Sequence, residues 1–508
     1  MRRTEFLSAS EAATLVRDGD TIVICGCENV LLPDELLAAL GQRFEDTGSP
    51  RDLTEIHPII TGMGPDRGLE HLARPGMVRC AIGSGFSYLK TSKYTEMLKR
   101  DAFAAHVVPM GTLFQMLRGT AAGQPYTWTR VGLGTFADPE VEGGCMNSAC
   151  LAPLSRRETI GEHTYLSYSN PRVNIAILRG STADEDGNIS LDDEPVSLGV
   201  KTIAQATHNS GGKVIVQVRR VAKSGTLHPR MIEIPGIMVD AVVVEPEQSI
   251  SGGALNSGLT GQLRVPEGQI GSVPPGLSRI IASRAAEEVE PGAIINLGVG
   301  MPIEIPKLLH ERGRSAGITF FPEHGSIGGI PGDREIFGTN INPEAIIDST
   351  EVFDFYRGGG LDVSFLGFGQ IDACGNVNVS KFNGIVPGCG GFIDIIDGTR
   401  RIVFCGSFTA GGLDVATKAG GLRIKQEGKF SKFVPAVEQI TFAAKMAASR
   451  SQTVRYVTER AVFTLQQDGL QLDEIADGVE LNRDVLSQIP FEVRVVSDLR
   501  KMAAEHFD

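Results

Sequence analysis

The chain contains the same pattern twice. SASEAATLVRDGD (8–20) can be laid without a gap on IASRAAEEVEPGA (281–293), so that Ser10, Ala12, Ala13, Val16 and Gly19 meet Ser283, Ala285, Ala286, Val289 and Gly292. The register continues, with Pro33 on Pro306 and Leu36 on Leu309. Each copy reads as a helix, a turn at Gly, a buried strand, a glycine loop and a helix opened near a Pro. Further on, VNIAILRGSTADEDGNIS (173–190) matches LDVSFLGFGQIDACGNVN (361–378), and KVIVQV (213–218) keeps the same register against RIVFCG (401–406). The offset between copies shortens from 273 to 188. The first copy therefore carries extra material between its landmarks. In both copies Asp-x-x-Gly-Asn predicts a hairpin-type turn.

Glycine is abundant, at 61 residues, and collects in short loops behind apolar β-branched runs such as TIVICGC (21–27), AIINLGVGMP (293–302) and IVFCG (402–406). Buried strands followed by Gly turns and alternating with helical stretches predict an α/β fold with largely parallel sheets. The duplication then predicts two homologous α/β domains, 1–262 and 279–508. They are joined by the Pro/Gly-rich linker 263–278. A chain of 508 residues needs no disulfide or metal staple to bury a core. Its eight cysteines form no CxxC pair, and its nine histidines form no HExxH, so reduced thiols and a cytoplasmic location are expected. No run of 18 apolar residues occurs, and no apolar stretch follows Arg2 and Arg3, so neither a membrane span nor a secretory signal is expected. The net charge of -13 argues against sequence-independent contact with nucleic acid or an anionic membrane.

Several common chemistries fail on spacing. GVGMPI (298–303) lacks the third Gly of GxGxxG, SGGKV (210–214) is not a P-loop, and no GxSxG is present. One segment stands out, ITFFPEHGSIGGIPG (318–332). Its apolar strand runs into Pro322 and Glu323, with Gly325, Gly328, Gly329 and Gly332 leaving room for a bulky ligand beside the carboxylate. Such a carboxylate can attack an activated acyl group; the plainer reading is a solvated loop glutamate. His324 beside it is either a general base or a structural histidine. VPGCGGFIDI (386–395) could converge backbone N–H groups on an oxyanion, or be a tight turn. NLGVGMP (296–302) could hold a phosphate or carboxylate on free amides, or simply pack closely.

Taken together, EHGSIGG, GVGMP, GCGGF and the duplicated halves resemble the family I CoA-transferases, most closely the fused single-chain type acting on acetate and other short-chain acyl groups. RGSTADEDGNIS (179–190), INPEAIID (341–348), FDFYRGGGLDVSFLG (353–367) and GNVNVSKF (375–382) are also similar to that family, and the resemblance covers nearly the whole chain. It implies that each half corresponds to one subunit of two-chain relatives. It also implies that Glu323 is the catalytic glutamate that becomes a glutamyl-CoA thioester. Gly388, Gly390 and Gly391 fall on the family's oxyanion loop. Gly298, Gly300 and Asn296 fall near the CoA and the reacting carbonyl. CoA and acyl-CoA are then substrates, small carboxylic acids are the partners, and neither ATP, a metal nor a permanent cofactor is required. A homodimer or tetramer is implied as well.

The sequence departs from the family pattern in places. Met110 in VVPMGTL (107–113) stands where relatives commonly carry a Gln able to donate its amide to the carbonyl, and Cys145 stands where a basic residue is usual. Phe-Phe-Pro before Glu323 is bulkier than expected, so Met110 and Phe321 are the side chains expected to shape an acyl pocket. Three functions compete: a CoA-transferase exchanging CoA between carboxylic acids, a hydrolase or a lyase or decarboxylase component on the same fold, and a non-catalytic acyl-CoA-binding subunit.

Overall fold

The two copies of the first buried run occupy the same place in two different sheets. The computed structural model describes residues 4–508 except 88, 90, 249–255, 267–271, 333–335 and 419. Of the linker expected over 263–278, residues 267–271 lie outside the described residues. The first sheet is built from β1 (Glu5–Leu7), β2 (Thr21–Ile24), β3 (Leu53–His57), β4 (Val78–Gly83), β5 (Ala104–Val107), β6 (Ile175–Arg179), β7 (Lys213–Val218) and β8 (Ala241–Val244). Its spatial order is β1-β8-β7-β6-β2-β3-β4-β5, and every pairing is parallel. The second sheet is built from β9 (Ile294–Leu297), β10 (Thr319–Phe320), β11 (Val363–Gly367), β12 (Arg401–Cys405), β13 (Thr453–Val457), β14 (Ala461–Gln466), β15 (Gly469–Ile475) and β16 (Arg494–Lys501). Its order is β10-β9-β11-β12-β13-β14-β15-β16.

The duplication is therefore visible as topology. The run β8-β7-β6-β2-β3 in the first sheet repeats as β13-β12-β11-β9-β10 in the second. The copies diverge outside that run. The first adds β4 and β5 in parallel, followed by an antiparallel unit of Tyr126–Thr129, Ser155–Ile160 and His163–Ser169. That addition lies between the two sequence matches and accounts for their change of offset. The second sheet turns antiparallel at β13–β14 and β14–β15.

Local chemistry explains the repeated pieces. The first helix, Ala9–Ala13, starts with a capping box in which Ser8 Oγ accepts from Glu11 N–H at 3.2 Å and Glu11 Oε2 accepts from Ser8 N–H at 2.9 Å. Strand β6 is buried along its whole length, which suits a β-branched, apolar run covered on both faces. Its one charge, Arg179, is neutralised by buried Glu194 at 2.8 Å. The two Asp-x-x-Gly-Asn turns close identically. Asn188 N–H donates to Asp184 Oδ1 at 2.9 Å, and Asn376 N–H donates to Asp372 Oδ1 at 3.0 Å.

The halves are joined by packing and by directed hydrogen bonds. Phe114 of helix Met110–Ala121 stacks on Phe353 of helix Ser349–Arg357, with ring centroids 6.1 Å apart. Gly111 N–H donates to Asp394 Oδ2 at 2.9 Å, and Arg357 pairs with Asp394 Oδ1 at 2.5 Å. Burial pushes the Asp394 carboxyl above its ordinary range despite Arg357. Asp348 uses both carboxylate oxygens. Oδ1 caps its own helix at Thr350 N–H (2.9 Å), while Oδ2 accepts from Ser197 Oγ (2.9 Å) and Gly199 N–H (3.0 Å) of the first copy. No helix among the described residues is long and apolar enough to cross a membrane. All eight cysteines are free thiols.

Candidate active site

Glu323 follows the short strand β10. Backbone pairing reaches Phe321, whose N–H donates to Ile295 O at 2.8 Å, and Pro322 then supplies no donor and ends the ladder. The chain turns at once, closed by Gly325 N–H to Pro322 O at 3.2 Å. Gly325 has φ 105°, and a β-carbon there would lie 1.9 Å from Ile347 O, so this turn accepts only glycine. Just upstream, the Phe321 carbonyl accepts from both Asn296 Nδ2 (3.2 Å) and the Tyr356 hydroxyl (2.5 Å). The backbone two residues before Glu323 is thus fixed from two sides.

Glu323 is 8 % exposed, and among the described residues its Oε2 has no hydrogen-bond partner. It lines a cavity of about 260 Å³ whose wall is drawn from both copies: Cys27, Ser84 and Met110 from the first, Gly298, His324 and the 387–392 loop from the second. Burial of an ionisable group without partners is costly unless a ligand completes the site. His324 lines the same cavity, and among the described residues its Nδ1 is buried without a hydrogen-bond partner. Its Nε2 lies 3.0 Å from Cys27 Sγ, and Phe337 meets its ring edge-on with centroids 5.8 Å apart. Burial holds the imidazole below its usual range, so it is neutral near pH 7, and burial pushes the Cys27 thiol far up.

The GCGGF loop closes the cavity opposite. Its amides are largely engaged. Gly388 N–H donates to Ser380 O at 3.1 Å, and the N–H groups of Cys389 and Gly390 both donate to Ser84 O at 2.9 Å. Gly391 N–H has no partner among the described residues, and a β-carbon on Gly391 would stand 3.5 Å from Glu323 Cγ. Among the described residues this leaves Gly391 as the loop's amide without an acceptor. The reason is that the loop uses its other amides to dock on the first copy. Gly390 O in turn accepts from Met110 N–H at 3.0 Å.

A second, larger cavity of about 830 Å³ adjoins the first, the two sharing Val299 and Gly367 as lining. Gly300, Cys405 and Lys432 also line it. Lys432 Nζ donates to Phe368 O at 3.1 Å and sits 4.8 Å above the Phe368 ring centroid. Burial lowers its ammonium to about 8.

The residues singled out from sequence distribute as follows. Glu323, Met110, Gly298, Gly388, Gly390 and Gly391 line the small cavity, and Gly300 lines the large one. Gly298 N–H is engaged by Phe365 O at 2.8 Å. Asn296 lines neither; it is buried, and its Nδ2 donates to the Phe321 carbonyl. Phe321 is not among the residues that line the small cavity. Its ring packs on Phe355 and Tyr356, with centroids 5.4 and 5.5 Å away. Sequence reasoning missed Ser84, Cys27 and Lys432. The first two lie in glycine-flanked loops after β2 and β4, a usable signal, whereas Lys432 in KFSKF reads as an ordinary surface charge.

A model of the coenzyme A transferase family matches residues 6–245. Acetate CoA-transferase YdiF of Escherichia coli K12 is 39% identical over 503 residues, which is 98% of this chain and 94% of that protein. Caffeate CoA-transferase of Acetobacterium woodii is also 39% identical, over 514 residues, covering 98% of this chain and 96% of the other. The crystal structure of the YdiF acyl-CoA transferase of E. coli O157:H7 as a thioester complex with CoA superposes with a TM-score of 0.94 at 38% identity, covering 100% of this chain and 96% of that one.

Proposed function

The chain belongs to the coenzyme A transferase family and is a CoA-transferase, and from that premise we propose that it moves CoA between small carboxylic acids through a covalent thioester on Glu323. The observation that carries this reading is a nearly buried carboxylate, with one oxygen unpartnered among the described residues, in a small cavity that opens beside a large one. The small cavity suits an acyl group and the reacting carbonyl. The large one suits the long body of CoA, with Lys432 offered to its anionic groups.

The chemistry follows from the residue types. Glu323 attacks the acyl-CoA carbonyl, and the C–S bond breaks to give a mixed anhydride and CoA thiolate. The thiolate attacks the glutamyl carbonyl, forms the glutamyl-CoA thioester and releases the first acid as its carboxylate. The acceptor carboxylate attacks that thioester and again makes an anhydride and thiolate. The thiolate then attacks the acceptor's carbonyl and frees Glu323. Every step exchanges one activated acyl bond for another, so neither ATP nor a permanently bound cofactor enters. In this reading Gly391 N–H stabilises oxyanion charge beside Glu323, supported by its lack of another acceptor among the described residues. No step of this scheme requires a proton from or to His324, whose Nε2 meets Cys27 Sγ. The same reading expects a cytoplasmic homo-oligomer.

Incubation with an acyl-CoA and no acceptor tests the reading. CoA should load onto the peptide containing Glu323, and borohydride or hydroxylamine should trap it with loss of activity. Initial rates with both substrates varied should give parallel double-reciprocal lines. CoA found on another residue, or intersecting lines, would overturn the covalent route. Stoichiometric release of free CoA without a new acyl-CoA would replace transfer with hydrolysis.

A further inference from the structure

Away from the cavity wall, the fold gathers three soft ligands that no sequence spacing announces. One ring nitrogen of His106 and the sulfurs of Cys145 and Cys150 all lie within 4.8 Å of one another. His106 is 5 % exposed, and among the described residues its Nδ1 is buried with no hydrogen-bond partner. The two cysteines are partly accessible, so an ion can reach them from solvent. The cluster forms because β5 is the edge strand of the first sheet and the 144–150 loop covers it. His106 bridges Cys145 in antiparallel fashion, Val107 N–H donates to Gly144 O at 2.9 Å, and Met146 N–H donates to Ala105 O at 2.9 Å.

We propose that His106, Cys145 and Cys150 form a binding site for one soft or borderline divalent ion of the Zn²⁺ class. One imidazole and two thiolates are a ligand set that selects such ions over Mg²⁺ or Ca²⁺. Bond lengths of about 2.3 Å to sulfur and about 2.0 Å to nitrogen put ligand atoms about 3.5–3.8 Å apart, so side chains now within 4.8 Å need close by only about 1 Å. The fourth position is left to water. On binding, both thiols give their protons to solvent and each sulfur donates a lone pair to the ion. Cys150 Sγ now donates to Ala105 O at 2.9 Å, and a thiolate exchanges that bond for the metal bond. The ion would tie the 144–150 loop to the strand that runs on through Pro109 to Met110, which lines the cavity. Its role is a clamp on that segment, not a part in acyl transfer.

The test uses the full-length protein, reduced, stripped with chelator and titrated anaerobically with Co²⁺ as the optical probe. A sulfur-to-cobalt charge-transfer band should saturate at one ion per chain and be displaced by Zn²⁺. Cys145→Ser and Cys150→Ser should each weaken binding at least tenfold, and His106→Gln should alter the band. Exposed Cys374→Ser and buried Cys27→Ser should leave it unchanged. Zn²⁺ should raise the parent's melting temperature and leave that of Cys145→Ser unmoved. Absence of a saturable band, a band that survives in Cys145→Ser and Cys150→Ser, or a reduced protein that only regains a Cys145–Cys150 disulfide would overturn the proposal.

Discussion

A β-carbon on Gly388 would stand 2.1 Å from the α-carbon of Gly85, which belongs to the other copy of the repeat. The contact lets Ser84 O reach two amides of the GCGGF loop at 2.9 Å. Gly388 also has φ 78°, where a side chain is strained whatever the space. Gly388→Ala is therefore expected to destabilise the protein by about 1–3 kcal/mol. It should also slow transfer, because Gly391 moves with the loop. Urea unfolding together with initial rates checks both. Unchanged stability and rate would mean that the two loops do not meet so closely.

Glu323→Gln keeps the size of the side chain and removes the nucleophile. Exchange should fall by more than the factor of about 10²–10⁴ that general acid–base assistance supplies, while CoA affinity and melting temperature stay near the parent values. His324→Ala should cost far less in kcat, since the covalent route needs no proton transfer and the imidazole's Nε2 is engaged by Cys27. Equal losses in the two variants would transfer the central role to His324. Mass spectrometry must exclude deamidation back to Glu323.

Lys432 gives the larger cavity a pH dependence. Burial lowers it to about 8, so it is an ammonium below that pH and a neutral amine above. The KM for acyl-CoA should rise as pH climbs through about 8, with kcat little changed, because attraction for CoA phosphates disappears with the proton. Lys432→Arg stays charged and should flatten the profile. A parent KM that is constant across this window would remove Lys432 from the CoA site.

Met110 is 3 % exposed and lines the small cavity, its Cε 3.7 Å from the position of a β-carbon on Gly390. Met110→Ala opens that wall. The ratio of kcat/KM for a longer acyl-CoA over acetyl-CoA should rise about tenfold, the scale of one or two methylenes in an apolar pocket. A ratio that does not move would place the acyl chain elsewhere.

The repeat could be read from sequence because both copies retain the same structural constraints: a helix, a glycine turn and a buried strand. The turn positions tolerate few residue types, so Gly19 and Gly292, or Gly187 and Gly375, all with positive φ, stand in register. Glu323 was conspicuous for the same reason, being hemmed by glycines whose turns admit little else. The contacts of Asn296 and Phe321 with Tyr356 were not legible. Both sit next to the right residues in sequence, but which side of the chain faces a cavity depends on helix Ser349–Arg357, which arrives from elsewhere. The engaged amides of GCGGF were hidden likewise, since their acceptor is Ser84, some three hundred positions away. The His106, Cys145 and Cys150 cluster has no motif because a sheet edge, not a short loop, brings it together.

Asp348 accepts hydrogen bonds from Ser197 and Gly199 with one oxygen, Asp394 accepts one from Gly111, and the GCGGF amides need Ser84. In each case the acceptor and donor lie on opposite sides of the seam. During synthesis the first copy thus emerges with half of each bond waiting for residues that the ribosome has not yet made. Neither copy expressed alone carries a complete reaction chamber. Cutting the chain between β8 and helix Leu277–Ala285 should yield two inert proteins whose activity returns on mixing, with a rate that depends on the product of their concentrations.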